Sequence, residues 1–212
     1  MINAISYASC YVYSPTGICD ASVRSRLLCS LLKSGNARYL QKYAARVRQE
    51  AAELPNFADF FGASCVLVPV PGSSPPSGDI PWISAHLAGE FARQGLGNVA
   101  WNALRRVRPV RKSATAPAGR RPTVDKHYDS FAIDAAAVPD VPAAQILLID
   151  DVVTKGRTLL AAAMRVQEAF PDARIRAFAL LRTMGLAAEV QRLLQPCVGE
   201  IRWRGGDAHR VP

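Results

Sequence analysis

The stretch QILLIDDVVTKGRT, residues 145–158, constrains the chain more than any other. A run such as QILLI has no polar alternation and so offers no face to water; it reads as a strand buried on both sides, the habit of parallel sheets covered by helices. The character then changes at once. Two adjacent acids, Asp150 and Asp151, are followed by a polar turn, and Leu159, Ala163, Val166 and Phe170 recur at helical spacing beyond it. One strand, one turn and one amphipathic helix follow each other without a break.

Other segments extend this pattern. From Asp20, an N-cap type of residue, Val23, Leu27 and Leu31 recur every four positions until Gly35, which predicts a helix with that apolar stripe facing inward. Leu40, Tyr43, Val47, Ala51 and Leu54 mark a second helix. SCVLVPVPGSS is a short strand closed by proline and glycine, and Ile83, Leu87 and Phe91 mark a third helix. ARIRAFALL reads as a strand, GLAAEVQRLL as a helix, EIRWR as a last strand and DAAAVPDVPAA as a connector. Strands alternating with helices predict an α/β fold with a central, mostly parallel sheet flanked by helices. With 212 residues and 50% hydrophobic content, one core is expected: a helical N-terminal addition over residues 1–60 and the core over 61–212.

The five cysteines are odd in number and form no CxxC pair, so neither a disulfide framework nor a zinc ribbon is indicated. The first residues carry no basic start and no apolar core of leader length, and no run approaches the roughly 18 apolar residues of a membrane span. A cytoplasmic protein without a membrane partner is expected. The net charge of +9 is concentrated: between Arg105 and Lys126 stand eight basic residues, Arg105, Arg106, Arg108, Arg111, Lys112, Arg120, Arg121 and Lys126, against the single acid Asp125. Pro109, Pro117, Gly119 and Pro122 make that segment read as a mobile loop, either a solvated one or one that closes over an anion.

Asp150 and Asp151 fall at the carboxyl end of the buried strand, where open α/β sheets bind ligands. The next helix begins within TKGRT. Its free N–H groups, its dipole and the hydroxyls of Thr154 and Thr158 make a phosphate cradle, which Gly156 lets the backbone approach closely. Acids beside a phosphate cradle cannot favour the phosphate itself, so they are assigned to hydroxyls on the group that carries it, as in a sugar phosphate. A helix cap is the plainer use of such an acid. A phosphate-accepting receiver domain needs more chain after its acid pair, a haloacid-type phosphatase spaces its acids two apart, and the triphosphate P-loop pattern GxxxxGK[ST] is absent from this turn.

ILLIDDVVTKGRTL closely resembles the signature of type I phosphoribosyltransferases, in which two apolar residues, two acids and a T-x-G-x-T loop bind 5-phosphoribosyl 1-diphosphate (PRPP). The order LLKSGNARYL, VLVPVPGSS, a basic loop ending GRRPTVDKHYDSF and then the acid pair is similar, over roughly residues 27 to 182, to the competence-associated ComF-like family. The chain departs from that family in lacking paired N-terminal cysteines, in SGDIPWISAHLA after the VPVP strand, and in Lys155 and Arg157 within the phosphate loop. One of those two cations is expected to reach the phosphate.

The resemblance implies a PRPP-binding set of Asp150, Asp151, Val152, Val153, Thr154, Lys155, Gly156, Arg157 and Thr158, with Pro71, Gly72 and Ser73 presenting amides to the diphosphate at a turn that often contains a cis peptide. It implies catalysis by Asp150 and Asp151 together with cations drawn from Arg106, Arg108, Lys112, Arg120, Arg121 and Lys126. Mg²⁺ is the implied cofactor, held mainly by the ligand, and a hood over the base is expected from residues 1–60 or the C-terminal RWRGGDAHRVP. The implied partners are PRPP and a small-molecule acceptor, with a homodimer in keeping with the superfamily. The reading from a different class is a non-catalytic PRPP- or nucleotide-binding regulatory module, or a DNA-uptake module whose basic segment meets phosphates; no aromatic residue precedes Tyr128 there to stack on bases. His86 and His209 read as structural or surface residues, and His127 lies at the loop's return.

Overall fold

The computed structural model describes residues 2–75, 82–111, 121–134, 144–184 and 189–212. Nine strands and six helices follow in chain order among them: β1 Ala4–Tyr13, α1 Asp20–Lys33, α2 Ala37–Glu53, α3 Pro55–Ala58, β2 Cys65–Pro69, α4 Ile83–Arg93, β3 Val99–Ala100, β4 Leu104–Arg106, α5 Val124–Tyr128, β5 Phe131–Ile133, β6 Gln145–Val153, α6 Arg157–Ala169, β7 Arg174–Thr183, β8 Leu194–Arg204 and β9 Asp207–Val211. Seven strands form one sheet in the order β3-β2-β6-β7-β1-β8-β9. The first five of these run parallel, and β8 is antiparallel to both β1 and β9.

The buried strands explain the two-sided core. Alternate residues of a strand point to opposite faces, and in β6 Ile146 and Leu148 join a cluster with Val66, Val68, Leu159 and Leu160, while Leu147 and Ile149 join the opposite cluster with Leu67, Leu32, Val47 and Phe91. Helix α6 covers the first face; α1, α2 and α4 cover the second. The α/β architecture with a mostly parallel sheet is therefore the one expected from QILLI and its surroundings. Among the described residues no helix is long and apolar enough to cross a membrane.

Four local expectations are corrected. The N-terminal region is not helical throughout, since β1 sits inside the sheet between β7 and β8 and Tyr7, Ala8, Ser9 and Cys10 are fully buried. Helix α1 exists but is rotated: Val23 and Leu27 are 48% and 58% exposed, while Ser22, Ser25, Leu28, Cys29 and Leu32 face inward. The buried serines are satisfied, Ser25 Oγ by donating to Ser22 O at 2.7 Å and Ser22 Oγ by donating to Glu189 at 2.9 Å, so burial costs them little.

Residues 189–193 are not helical, and Leu194 already belongs to β8. Glu189 instead receives the amides of Ile18 at 2.7 Å and Cys19 at 3.1 Å, and Leu193 O accepts from Val12 N at 2.9 Å, which draws the segment out along β1. EIRWR is thus the end of a long strand, and β9 follows it through a Gly205–Gly206 turn with both φ angles positive. The basic segment is not a plain loop either. Leu104–Arg106 pairs with Phe131–Ile133, and Val124–Tyr128 forms a short helix whose first turn is capped by Thr123.

Candidate functional site

Val152 and Val153 complete β6 after Asp150 and Asp151, and the chain turns through Thr154, Lys155 and Gly156 into α6. Gly156 takes φ +86°, a left-handed conformation that costs side-chain-bearing residues energy. A Cβ there would also stand 2.7 Å from two carbons of Ile201 on β8. The position therefore demands glycine twice, once for its backbone and once for its neighbour. Beyond it, the first amides of α6 have no partner within their own helix, and the helix dipole adds positive potential where Thr154 and Thr158 carry their hydroxyls.

The two carboxylates differ in surroundings. Asp150 Oδ1 accepts from Asp151 N at 2.9 Å, and Asp151 Oδ1 accepts from Val152 N at 2.8 Å. Burial and then the neighbouring Asp151 hold the Asp150 carboxyl well above the usual carboxylate range, opposed in part by Arg106. Asp151 is partly exposed, and Lys33 Nζ of α1 approaches its Oδ2 at 4.0 Å. An acid short of solvation and of hydrogen-bond donors gains from hydroxyls or a cation brought to it.

The two cations of this turn, Lys155 and Arg157, face a carboxylate of the chain itself. Lys155 Nζ lies 3.3 Å from Asp207 Oδ2, and Arg157 Nη2 lies 2.6 Å from the same oxygen, while Arg157 Nη1 donates to Pro122 O at 3.2 Å. The hydrogen bond from Arg157 is the main reason that the Asp207 carboxyl is held down at about 2. The expectation that one of these cations reaches toward the phosphate cradle is not what the structure places there. Behind the cradle, His127 is 3% exposed, its Nε2 lies 3.4 Å from Thr158 Oγ1, and its ring stacks on Phe131. Burial, then Arg106 and Arg157, push it down to about 4, so it is neutral at physiological pH.

The turn after β2 lies beside β6, joined by Val70 N donating to Ile149 O at 2.8 Å. Pro71 is buried and Gly72 is exposed, Ser84 Oγ of α4 donates to Val70 O at 2.6 Å, and no cis peptide occurs among the described residues. Arg106 binds the turn from beneath. Its Nε donates to Gly72 O, its Nη2 to Pro71 O at 3.3 Å and its Nη1 to Ser130 Oγ, with the guanidinium 4.2 Å from the centre of the Phe131 ring. The residue is not a loop cation but a buried strand residue, and burial lowers it to about 10.

Arg108, Arg111, Arg121 and Lys126 are exposed; Lys112 and Arg120 lie outside the described residues. His86 is part of α4 and His209 of β9. Asp207, Ile201, Lys33 and Ser130 carry roles that reading the sequence did not find. The Gly205–Gly206 pair signals a tight hairpin, but nothing local says that the acid after it meets Arg157.

Among the described residues, no group of three or more His, Cys, Asp and Glu could by itself hold a metal ion. Two adjacent carboxylates next to the start of a helix are nevertheless oxygen donors that suit Mg²⁺, which keeps water and ligand phosphates in its shell rather than filling an all-protein cage. A cleft of about 690 Å³ lies elsewhere, between Cys19, Arg24, Glu189 and Leu193, and includes neither aspartate.

No family model and no curated protein matches the chain. Among solved structures, a hypoxanthine phosphoribosyltransferase from Staphylococcus aureus shares 13% identity at a TM-score of 0.34, covering 72% of this chain and 70% of that one. The adenine phosphoribosyltransferase of Leishmania donovani shares 13% at 0.37, covering 86% and 84%, and that of Leishmania tarentolae 15% at 0.36, covering 81% and 83%. Likenesses this distant carry no argument about activity; the acid pair and its surroundings carry it.

Proposed function

We propose that this chain binds PRPP and transfers its phosphoribosyl group to a base-like acceptor with release of diphosphate, as a phosphoribosyltransferase of the ComF-like kind. The observation that carries the reading is the placement of Asp150 and Asp151 at the end of a central parallel strand, directly before a helix start that Gly156 opens. The acids accept hydrogen bonds from the ribose 2′- and 3′-hydroxyls, and Thr154 to Thr158 with the first amides of α6 hold the 5′-phosphate. Pro71, Gly72 and Ser73 lie beside β6 on the diphosphate side.

In the transfer, the bond from the anomeric carbon to the diphosphate oxygen breaks and the electron pair leaves with diphosphate. A bond to the acceptor nitrogen forms, and that nitrogen loses its proton. The ribose gains oxocarbenium character between the two events, so what matters is charge placed in advance around the leaving group and the ring. Asp150 and Asp151 are the residues that would hold Mg²⁺ together with the ligand, and the ion would supply charge neutralisation to the diphosphate. Exposed cations after β4, such as Arg108 and Arg121, stand as the pool that meets the departing charge.

The test is diphosphate release from PRPP and Mg²⁺ across purine, pyrimidine and pyridine acceptors. Turnover with one class supports the transferase. Tight PRPP binding with no turnover for any class favours a binding module, and no PRPP binding at all removes both.

A further inference from the structure

Arg106 is 2% exposed, and none of the ion pairs among the described residues includes it. A buried guanidinium without a carboxylate partner is costly, and such charges are ordinarily paired or met by a ligand. Its donors go instead to the carbonyls of Pro71 and Gly72 and to Ser130 Oγ, which in turn donates to His127 O at 2.6 Å.

The direction of those two carbonyls fixes the direction of two amides. Across a planar trans peptide, the C=O of one residue and the N–H of the next point opposite ways. Pro71 and Gly72 both aim their oxygens inward at Arg106, so Gly72 N–H and Ser73 N–H are aimed outward, and a Cβ built on Gly72 meets nothing within 4 Å. Consecutive outward amides form an anion-binding concavity. Here the concavity stands over the buried guanidinium of Arg106, which no ion pair among the described residues engages, and Ser84 at Val70 O and Val110 N at Ser73 O hold both ends of the turn.

We infer that Arg106 is a positioning residue: it turns the Gly72 and Ser73 amides toward a diphosphate group and supplies the charge beneath them, without touching the ligand. The inference rests on the PRPP reading for its natural ligand, but not for its geometry. A lysine in its place keeps the charge and loses the fork that spans two carbonyls.

The experiment uses inorganic diphosphate with Mg²⁺ and, separately, ribose 5-phosphate as probes, on the wild type, Arg106→Lys and Arg106→Gln. Both variants are expected to bind diphosphate at least tenfold more weakly while ribose 5-phosphate affinity stays within twofold, which also shows that the variants are folded. Equal losses for the two probes, or undiminished diphosphate binding, overturn the inference. A measurement on the wild type alone guards against variants that fail to fold: diphosphate should shift the amide resonances of Gly72 and Ser73, and saturation without such shifts overturns the inference. A wild type that binds diphosphate at these amides but not ribose 5-phosphate refutes the PRPP reading and leaves the anion site standing.

Discussion

Arg157 and Asp207, 50 positions apart, meet side by side: Nη2 stands 2.6 Å from Oδ2, and Nε donates to Oδ1. The final hairpin is thereby fastened to the first turn of α6. The Asp207 carboxyl is held at about 2, below its usual value near 3.9, so its stabilisation is present above about pH 4 and is lost as the pH falls toward 2. After allowance for the solvent that screens it, Asp207→Asn should cost about 1–2 kcal/mol at pH 7 in urea unfolding, with the two curves converging between pH 4 and 2. Equal stability at pH 7 contradicts this role.

His127 gives a second pH signature of the same sign in a different window. Its folded value of about 4 lies below the usual 6.5, so the unfolded chain takes up the proton first and stability falls as pH drops from about 6.5 to 4. This group accounts for up to about 3 kcal/mol of that fall. Replacing His127 by Gln should flatten the stability profile across that interval, and an unchanged slope would assign the fall to other groups.

Gly156→Ala should destabilise by at least about 2 kcal/mol, since the methyl meets Ile201 at 2.7 Å and the backbone remains left-handed. Combining it with Ile201→Ala removes the collision but not the backbone strain. Thermal unfolding of the double variant should therefore show a smaller penalty than the sum of the two single changes; strict additivity would mean that the residues do not meet.

What the sequence disclosed follows how local each feature is. The strand, turn and helix of residues 145–170 were readable because QILLI, the acids and the Leu159 stripe are contiguous and consistent. Strand β1 was not, because AISYASCYVY mixes Ser, Tyr and Cys and its sheet partners β7 and β8 come from the far end of the chain. Helix α1 was found but its inward face was misjudged, since buried Ser22 and Ser25 count as polar until their hydrogen bonds are known. Arg106 looked like one cation of a basic loop for the same reason: the carbonyls it serves lie more than thirty positions earlier.

Asp150 is expected to cost the free protein stability. Burial and Asp151 raise its carboxyl, so ionisation at neutral pH is opposed by the fold, and this group's contribution declines as pH rises through its folded value. Asp150→Asn keeps an oxygen for Asp151 N and removes the charge. Its melting temperature without ligand should rise by a few degrees at pH 7, and a lower one would contradict the assigned strain.

The most direct test of the central claim is calorimetric titration of PRPP with Mg²⁺ into the wild type and into Asp150→Asn/Asp151→Asn. Losing two charged hydroxyl acceptors at about 1.5–3 kcal/mol each predicts at least a hundredfold weaker binding in a variant that still unfolds cooperatively. Undiminished PRPP affinity in that folded variant would contradict the assignment of the acid pair to ribose.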